Sequence, residues 1–387
     1  MVFSAIAMTV KKLALSNFRN IENMVFSACN QVNIIYGDNA QGKTNLIEAL
    51  WLFTGAKSFR GAKDSEMVAL GKNAARLSLS FMAEEREQEA RLSFYTAENG
   101  GGRPPKKKEL LLNGAARDSV SAMMGRFCAV VFSPSHLAIV SEGPGERRRF
   151  LDVAVGQVRP VYERLLAEYQ KALAQRNALL KDIPHHPDLL DTVELWDERL
   201  AKAGASIMRL RMKYIKRLSE KAREVYAGIA GEKERLFTAY QPSVELPAGD
   251  ITLENLHAAL REAMRADIKE DLRAGFTTRG VHRDELELAI DGLAVKTYGS
   301  QGQRRSAVLS LKLAECAILE EVQGESPVIL LDDVMSELDG ARKEYILNHM
   351  EGRQVFITCC DSAVFSDLRG GAVFQVAGGR LCGINSN

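Results

Sequence analysis

Apolar positions recur along this chain with two different periods. From residue 10 to 95 the period is two. Val10–Phe18 alternates, Gln31–Tyr36 is a short apolar run, and 76–83 with 89–95 alternate as the arms of a hairpin do, so strands are predicted in all four places. Asn45–Phe53 (NLIEALWLF) departs from that pattern and takes helical spacing after a glycine-rich turn. From about Pro160 to Ala274 the period becomes 3.6. Residues 159–182 set Tyr162, Leu165, Leu166, Tyr169, Leu173, Leu179 and Leu180 largely at helical intervals, 192–229 continue in kind, and 252–273 form a third amphipathic stretch. The segment IPHHPDLL breaks the first of these, which predicts an antiparallel helical hairpin. No heptad seam is long enough for an extended coiled coil. After about Phe276 the first pattern returns, with strands expected at Leu286–Ile290, Val328–Leu331 and Gln354–Thr358 and a helix at Gly302–Val322. The expectation is an α/β domain in two parts, residues 1–150 and 276–387, split by a helical arm over 151–275.

Composition narrows the function classes. The 387 residues carry 51 Lys+Arg against 50 Asp+Glu, a formal charge of +1, which excludes coating of nucleic acid by bulk charge. DNA affinity must then come from local clusters. Three stand out: Arg103/Lys106/Lys107/Lys108 in the loop GGGRPPKKK, Arg147/Arg148/Arg149, and Arg209/Arg211/Lys213/Lys216/Arg217 on an arm helix without an acid between them. No apolar run approaches the roughly 20 residues that span a bilayer, so no membrane partner is expected. The N-terminus lacks the basic and apolar regions of a signal peptide, and Met8 is a candidate start. The six cysteines show no metal-binding spacing and read as buried free thiols of a cytosolic protein.

The chemistry begins at Gly37-Asp38-Asn39-Ala40-Gln41-Gly42-Lys43-Thr44, which matches the phosphate-loop pattern G-x-x-x-x-G-K-[ST] between a strand and a helix. Gly37 and Gly42 permit a backbone that turns several N–H groups inward at a helix N-terminus, Lys43 supplies a point charge to the β- and γ-phosphates, and the Thr44 hydroxyl can ligate Mg²⁺. Asp332 ends the apolar run Val328–Leu331, where an acid can hold the same Mg²⁺. Asp333 follows it, placed to orient or deprotonate the attacking water. ATP with Mg²⁺ is the expected ligand. Ser300 in GSQGQ opens a helix 32 positions before Asp332, and its hydroxyl and N–H can meet a phosphate.

Ser300-Gln301-Gly302-Gln303 resembles the S-x-G-Q signature of ABC-type ATPases, which implies that Ser300, Gly302 and Gln303 close the nucleotide site of a second copy. Ser336-Glu337-Leu338-Asp339 resembles the D-loop of that superfamily. The fold class expected is thus an α/β ABC-type P-loop ATPase head split by an inserted α-helical arm, similar to SMC-like repair ATPases but with a short arm. Further strings, LxLxNFRN (Leu13–Asn20), GERRRFLD (Gly145–Asp152), QRNALLK (Gln175–Lys181), GVHRDEL (Gly280–Leu286) and YGSQGQRRS (Tyr298–Ser306), resemble the bacterial RecF family of DNA replication and repair proteins from about Val10 to Phe374. That resemblance implies an ATP-dependent DNA-binding protein with weak ATPase activity, dimerising on ATP and acting with RecO and RecR at gapped DNA junctions. It also places Arg19 toward the nucleotide. The sequence departs from the family at His136, where an acid is more usual, at Val281, where proline is common, and at Cys359-Cys360, where other ABC ATPases carry a switch histidine. No Q-loop glutamine stands out, and Asp333 replaces the commoner Glu. The alternative is a nucleotide-binding subunit of another ABC- or SMC-type complex.

Overall fold

A computed structural model describes residues 6–96, 107–246, 249–360 and 371–386. The chain divides into two compact units, Met1–His136 with Lys312–Asn387, and Leu137–Leu311.

The first unit is built on a six-stranded sheet in the order Arg380–Ser386, Gly371–Ala377, Val32–Tyr36, Val355–Cys359, Val328–Asp332, Ala129–Phe132. All neighbours are parallel except the first pair. Parallel strands are covered on both faces, and Val328–Leu331 are accordingly fully buried. A second, antiparallel sheet runs Ile21–Ser27, Thr9–Phe18, Ala74–Ala83, Arg86–Tyr95, Lys108–Leu112, Ala115–Arg117. Along Ala74–Ala83 every second residue is buried, the pattern of a sheet with one wet face. Phe26 of this sheet packs on Phe356 and Phe374 of the first, at ring separations of 5.9 and 4.4 Å. Buried Gln354 ties the N-terminal strand down: its amide accepts from Val10 N at 2.6 Å and donates to the carbonyls of Val10 and Cys29 at 2.9 and 2.7 Å.

The second unit is mainly helical. Val161–Asp182 and the 38-residue Val193–Ala230 are joined through a 3₁₀ turn that starts at Pro187. The stretch expected as one helix over 252–273 is two, Leu253–Ala266 and Ile268–Ala274, with Asp267 between them. Thr252 caps the first by accepting from Asn255 N at 3.1 Å. The small sheet of this unit contains strands that the sequence pattern does not predict. Leu236–Gln241 pairs antiparallel with Glu285–Ile290, from Leu236 opposite Ile290 to Gln241 opposite Glu285, and Leu293–Ala294 adds a short third strand. The compact units meet at 136/137 and 311/312, and this small sheet and the segment 295–311 fall in the second.

Candidate nucleotide site

The phosphate loop leaves the strand Val32–Tyr36 and enters the helix Lys43–Leu52. Gly37 has φ +151°, and a Cβ there would lie 2.2 Å from the carbonyl oxygen of Val376, so only glycine fits. Gly42 at φ +112° and Ala40 at φ +64° complete the left-handed steps that turn the backbone around the loop. Lys43 is almost wholly buried, and its Nζ donates to the carbonyls of Gly37 and Asp38 at 2.5 and 2.9 Å. Its charge is thereby held at the centre of the loop. Gln41 joins the loop to the hairpin 378–379: its side-chain oxygen accepts from Gly378 N and its carbonyl from Gly379 N, at 2.5 and 2.9 Å.

Thr44 is the first link to the acids. Its hydroxyl donates to Asp332 Oδ1 at 2.9 Å, and Thr358 donates to the same oxygen at 2.9 Å. Asp332 is 5% exposed, and burial raises its pKa despite the two hydroxyls, which pull it down. Asp333 takes a left-handed conformation at φ +53° and donates its N–H to Thr358 Oγ1 at 3.0 Å. Such a strained acid at the end of a strand is the kind of outlier that clusters at working sites. Asp333 lines a cleft of about 350 Å³ together with Asn39–Asn45, Asn20 and Arg60. The oxygen pair of Thr44 and Asp332 suits Mg²⁺, which takes one or two protein oxygens and leaves its other positions to water and phosphate. Among the described residues no group of three or more His, Cys, Asp or Glu forms an all-protein metal cage.

A family profile for the RecF/RecN/SMC N terminal domain matches residues 9–377. The chain is similar to the DNA replication and repair protein RecF of Agathobacter rectalis, 39% identical over 376 residues, covering 97% of this chain and 99% of that protein. It is likewise similar to that of Acetivibrio thermocellus, at 39% over 363 residues, 93% and 95% of the two chains. It belongs to the RecF family. A solved structure of the recombination mediator protein RecF-ATP in the RecFOR pathway has 34% identity and a TM-score of 0.90 over 100% of both chains. An SMC head domain from Pyrococcus furiosus, at 15% identity and a TM-score of 0.53 over 98% of this chain, shares the fold. The ABC-type ATPase head is thus the architecture of this RecF-family chain.

The RecF-like strings have a structural role of their own in the second unit. Arg147 of GERRRFLD donates from Nε and Nη2 to Glu285 at 2.6 and 2.8 Å, and from Nη1 to the carbonyls of Ile139 and Glu142 at 3.0 Å each. Arg148 reaches the Asp284 carbonyl at 2.9 Å. Arg176 of QRNALLK is fully buried and holds Asp197 and Asp271 at 2.6 and 2.5 Å. His282 donates from Nε2 to the Thr277 carbonyl at 3.0 Å and accepts from the Tyr169 hydroxyl at 2.7 Å. Desolvation lowers its pKa to about 4, so it is neutral at physiological pH. GERRRFLD and GVHRDEL therefore bind to one another, while QRNALLK holds acids elsewhere in the unit. The departures at His136 and Val281 are accommodated in the same terms. His136 Nδ1 supplies the acceptor that an acid would give to Ser133 N, at 3.1 Å. Val281 is buried and gives its backbone carbonyl to Arg211 Nη1 at 2.7 Å, which proline would also provide, and its backbone N–H to the Tyr169 hydroxyl, which proline would not.

The partners of two expected site residues are given by the structure. Arg211 was grouped with the DNA-facing cations, yet it is 1% exposed and donates to Asp152 Oδ1 at 2.7 Å and to the Tyr162 hydroxyl at 2.8 Å. It belongs to the interior, because it falls on the apolar stripe Leu200, Ile207, Met208, Ile215, Leu218 of its helix. Lys213 and Lys216 are exposed, Arg209 and Arg217 half-buried. Arg19, expected toward the nucleotide, makes a two-pronged pair with fully buried Glu48 at 3.0 and 2.9 Å. Arg103 and Lys106 lie outside the described residues.

Asn20 and Arg60 were not anticipated. Asn20 donates to the Ala40 carbonyl at 3.1 Å and accepts from Asn45 at 2.7 Å, while Arg60 reaches Asn45 Oδ1 at 2.9 Å. The final asparagine of the string LxLxNFRN was the available signal for the first; Arg60 carries none. Cys360, at the position of the missing switch histidine, lies 3.2 Å from Asn39 Oδ1 and 3.8 Å from Lys43 Nζ. Ser300, Gly302 and Gln303 belong to the second unit, where Ser300 and Gln303 cap the helix Gln301–Gln323.

Proposed function

We propose that this chain is an ATP-dependent DNA-binding protein of recombinational repair and replication restart, with a weak, DNA-dependent ATPase acting as a clamp switch in the cytoplasm. The observation that supports it most directly is the hydroxyl–carboxylate pair of Thr44 and Asp332 beside the lysine-centred loop, with the ATP-bound RecF as relative. In this reading the loop Gly37–Thr44 cradles the triphosphate, and Lys43 exchanges its two carbonyl partners for phosphate oxygens. Thr44 and Asp332 would hold Mg²⁺, whose charge would offset that of the β- and γ-phosphates. Asp333 orients the water, and its short side chain makes turnover slow. Ser300, Gly302 and Gln303 of a second copy complete the site, so ATP binding joins two copies head to head over duplex DNA near single-strand gaps and hydrolysis releases them.

Arg209, Lys213, Lys216 and Arg217 supply phosphate contacts on the arm, with Arg211 behind them as a structural residue. RecO and RecR, as recombination mediators of the same pathway, are the proposed protein partners. By chemistry, the head is 1–150 with 276–387 and the arm is 151–275. Gel filtration with and without ATP tests the reading: the parent chain shifts to a dimer, whereas Lys43→Arg and Ser300→Arg stay monomeric. Undiminished ATP-dependent dimerisation of Ser300→Arg removes the second-copy site. Titration of gapped against plain duplex DNA, with Lys43→Arg as control, tests the DNA preference.

A further inference from the structure

The signature serine does not stand alone at its helix end. Ser300 Oγ accepts from Gln303 N at 3.2 Å, while Gln303 Oε1 accepts from Ser300 N at 2.8 Å, a reciprocal capping box at the start of Gln301–Gln323. The Gln303 amide has a further partner. Its Nε2 donates to Glu234 Oε1 at 2.8 Å, and the other carboxylate oxygen of Glu234 accepts from the Tyr226 hydroxyl at 2.7 Å. Tyr226 is fully buried near the end of the long helix Val193–Ala230, and Glu234 sits in the turn that leaves it.

A carboxylate only accepts hydrogen bonds, so Glu234 forces the nitrogen of Gln303 to face it and the oxygen to face Ser300. That orientation makes the box work. With Gln303 N–H donated to its oxygen, Ser300 keeps its own hydroxyl proton to give to an anion. Reversing the amide would set a donor against the Ser300 N–H and open the cap.

We propose that Glu234 is a positioning residue for the signature serine. It fixes the Gln303 amide so that Ser300 presents its hydroxyl to a phosphate, and it anchors that arrangement to the arm helix through Tyr226. This rests on the reading that Ser300 completes the nucleotide site of a second copy.

Glu234→Lys separates the possibilities. An ammonium only donates, so it takes the oxygen of Gln303 and inverts that amide, while the Tyr226 hydroxyl can accept from it. Combining it with Gln303→Glu restores an acceptor toward both Ser300 N–H and residue 234, and with it the box. Hydrogen exchange of the amides of Ser300 and Gln303 in the full chain should quicken in Glu234→Lys by roughly 2- to 10-fold, the span of one ordinary hydrogen bond, and return to the parent rate in the combined variant. The ATPase kcat of Glu234→Lys should fall by a similar factor at unchanged KM for ATP. Exchange unaltered by Glu234→Lys, or no recovery in the combined variant, overturns the assignment. If exchange behaves as expected and Ser300→Ala dimerises with ATP as fully as the parent, the positioning stands and the second-copy reading falls.

Discussion

The phosphate loop and the arm's interior are both charged sites in this chain, and they are assembled in opposite ways. In the loop a single lysine is held by two carbonyls only five and six positions before it. In the arm, Arg176 is held by carboxylates 21 and 95 positions away, and Arg211 by one 59 positions away. A local cradle keeps its partners weak and exchangeable, so a phosphate can displace them. A long-range ionic cluster is neutralised by carboxylates of its own fold, although Arg176 Nη2 stays buried without a hydrogen-bond partner among the described residues. Basic residues therefore signal a binding site only when their own chain leaves them something to bind.

The largest effect expected is in the arm. Arg176→Ala takes the paired cation from Asp197 and from Asp271, which is 1% exposed and keeps only its bonds from Thr278, and should cost about 3–5 kcal/mol in denaturant unfolding. A loss under ~1 kcal/mol would show that the cluster is not a stabilising unit. In the loop, Gly37→Ala forces a Cβ against the Val376 carbonyl at a φ that side chains rarely adopt. It should cost at least about 1–3 kcal/mol and remove nucleotide binding, read by calorimetric titration with ATP.

Asp332→Asn should act in the opposite direction on stability. Burial raises the Asp332 pKa, so the folded chain retains a proton that the unfolded chain has already lost. The contribution of this group is favourable below the ordinary carboxyl range and is lost as pH rises through the raised folded value. The substitution removes that loss, so at pH 7–8 thermal scans should give a higher midpoint. ATPase activity should disappear. A lower midpoint would mean that the two threonine hydroxyls outweigh burial.

The smallest effect on the fold belongs to the arm surface. Lys213→Glu with Lys216→Glu should leave the unfolding midpoint within about 0.5 kcal/mol. The salt dependence of duplex binding should lose a slope of about 1 per phosphate contact removed. Unchanged salt dependence would take this face out of the DNA-binding reading.

The same contrast explains what was legible in the sequence. Gly37–Thr44 and the run ending at Asp332 were readable because each motif lies in a few consecutive residues and its context is the strand before it. The helical hairpin was readable from one amphipathic period. Arg19 was not, because its partner Glu48 belongs to the next helix and looks like part of an ordinary helical run. Arg211 was misread for a related reason: a count of basic residues over 209–217 ignores helical phase, and the phase puts it among Ile207, Met208 and Ile215. The strand Leu236–Gln241 was missed because its alternation is short and its partner begins more than forty residues later. Cys359-Cys360 stood out where a switch histidine is usual, but the place of Cys360 beside Asn39 and Lys43 depends on a parallel pairing that no local pattern encodes.

That parallel pairing also has a consequence in time. The strand Val32–Tyr36, which launches the phosphate loop, lies between Val355–Cys359 and Gly371–Ala377. Both neighbours leave the ribosome more than 300 residues after it. At roughly 5–20 residues per second, this central strand waits on the order of 15–60 s without either partner. Its apolar faces and both hydrogen-bonding edges must be shielded throughout by something other than the native sheet, so for this ATPase head synthesis is a longer hazard than folding itself.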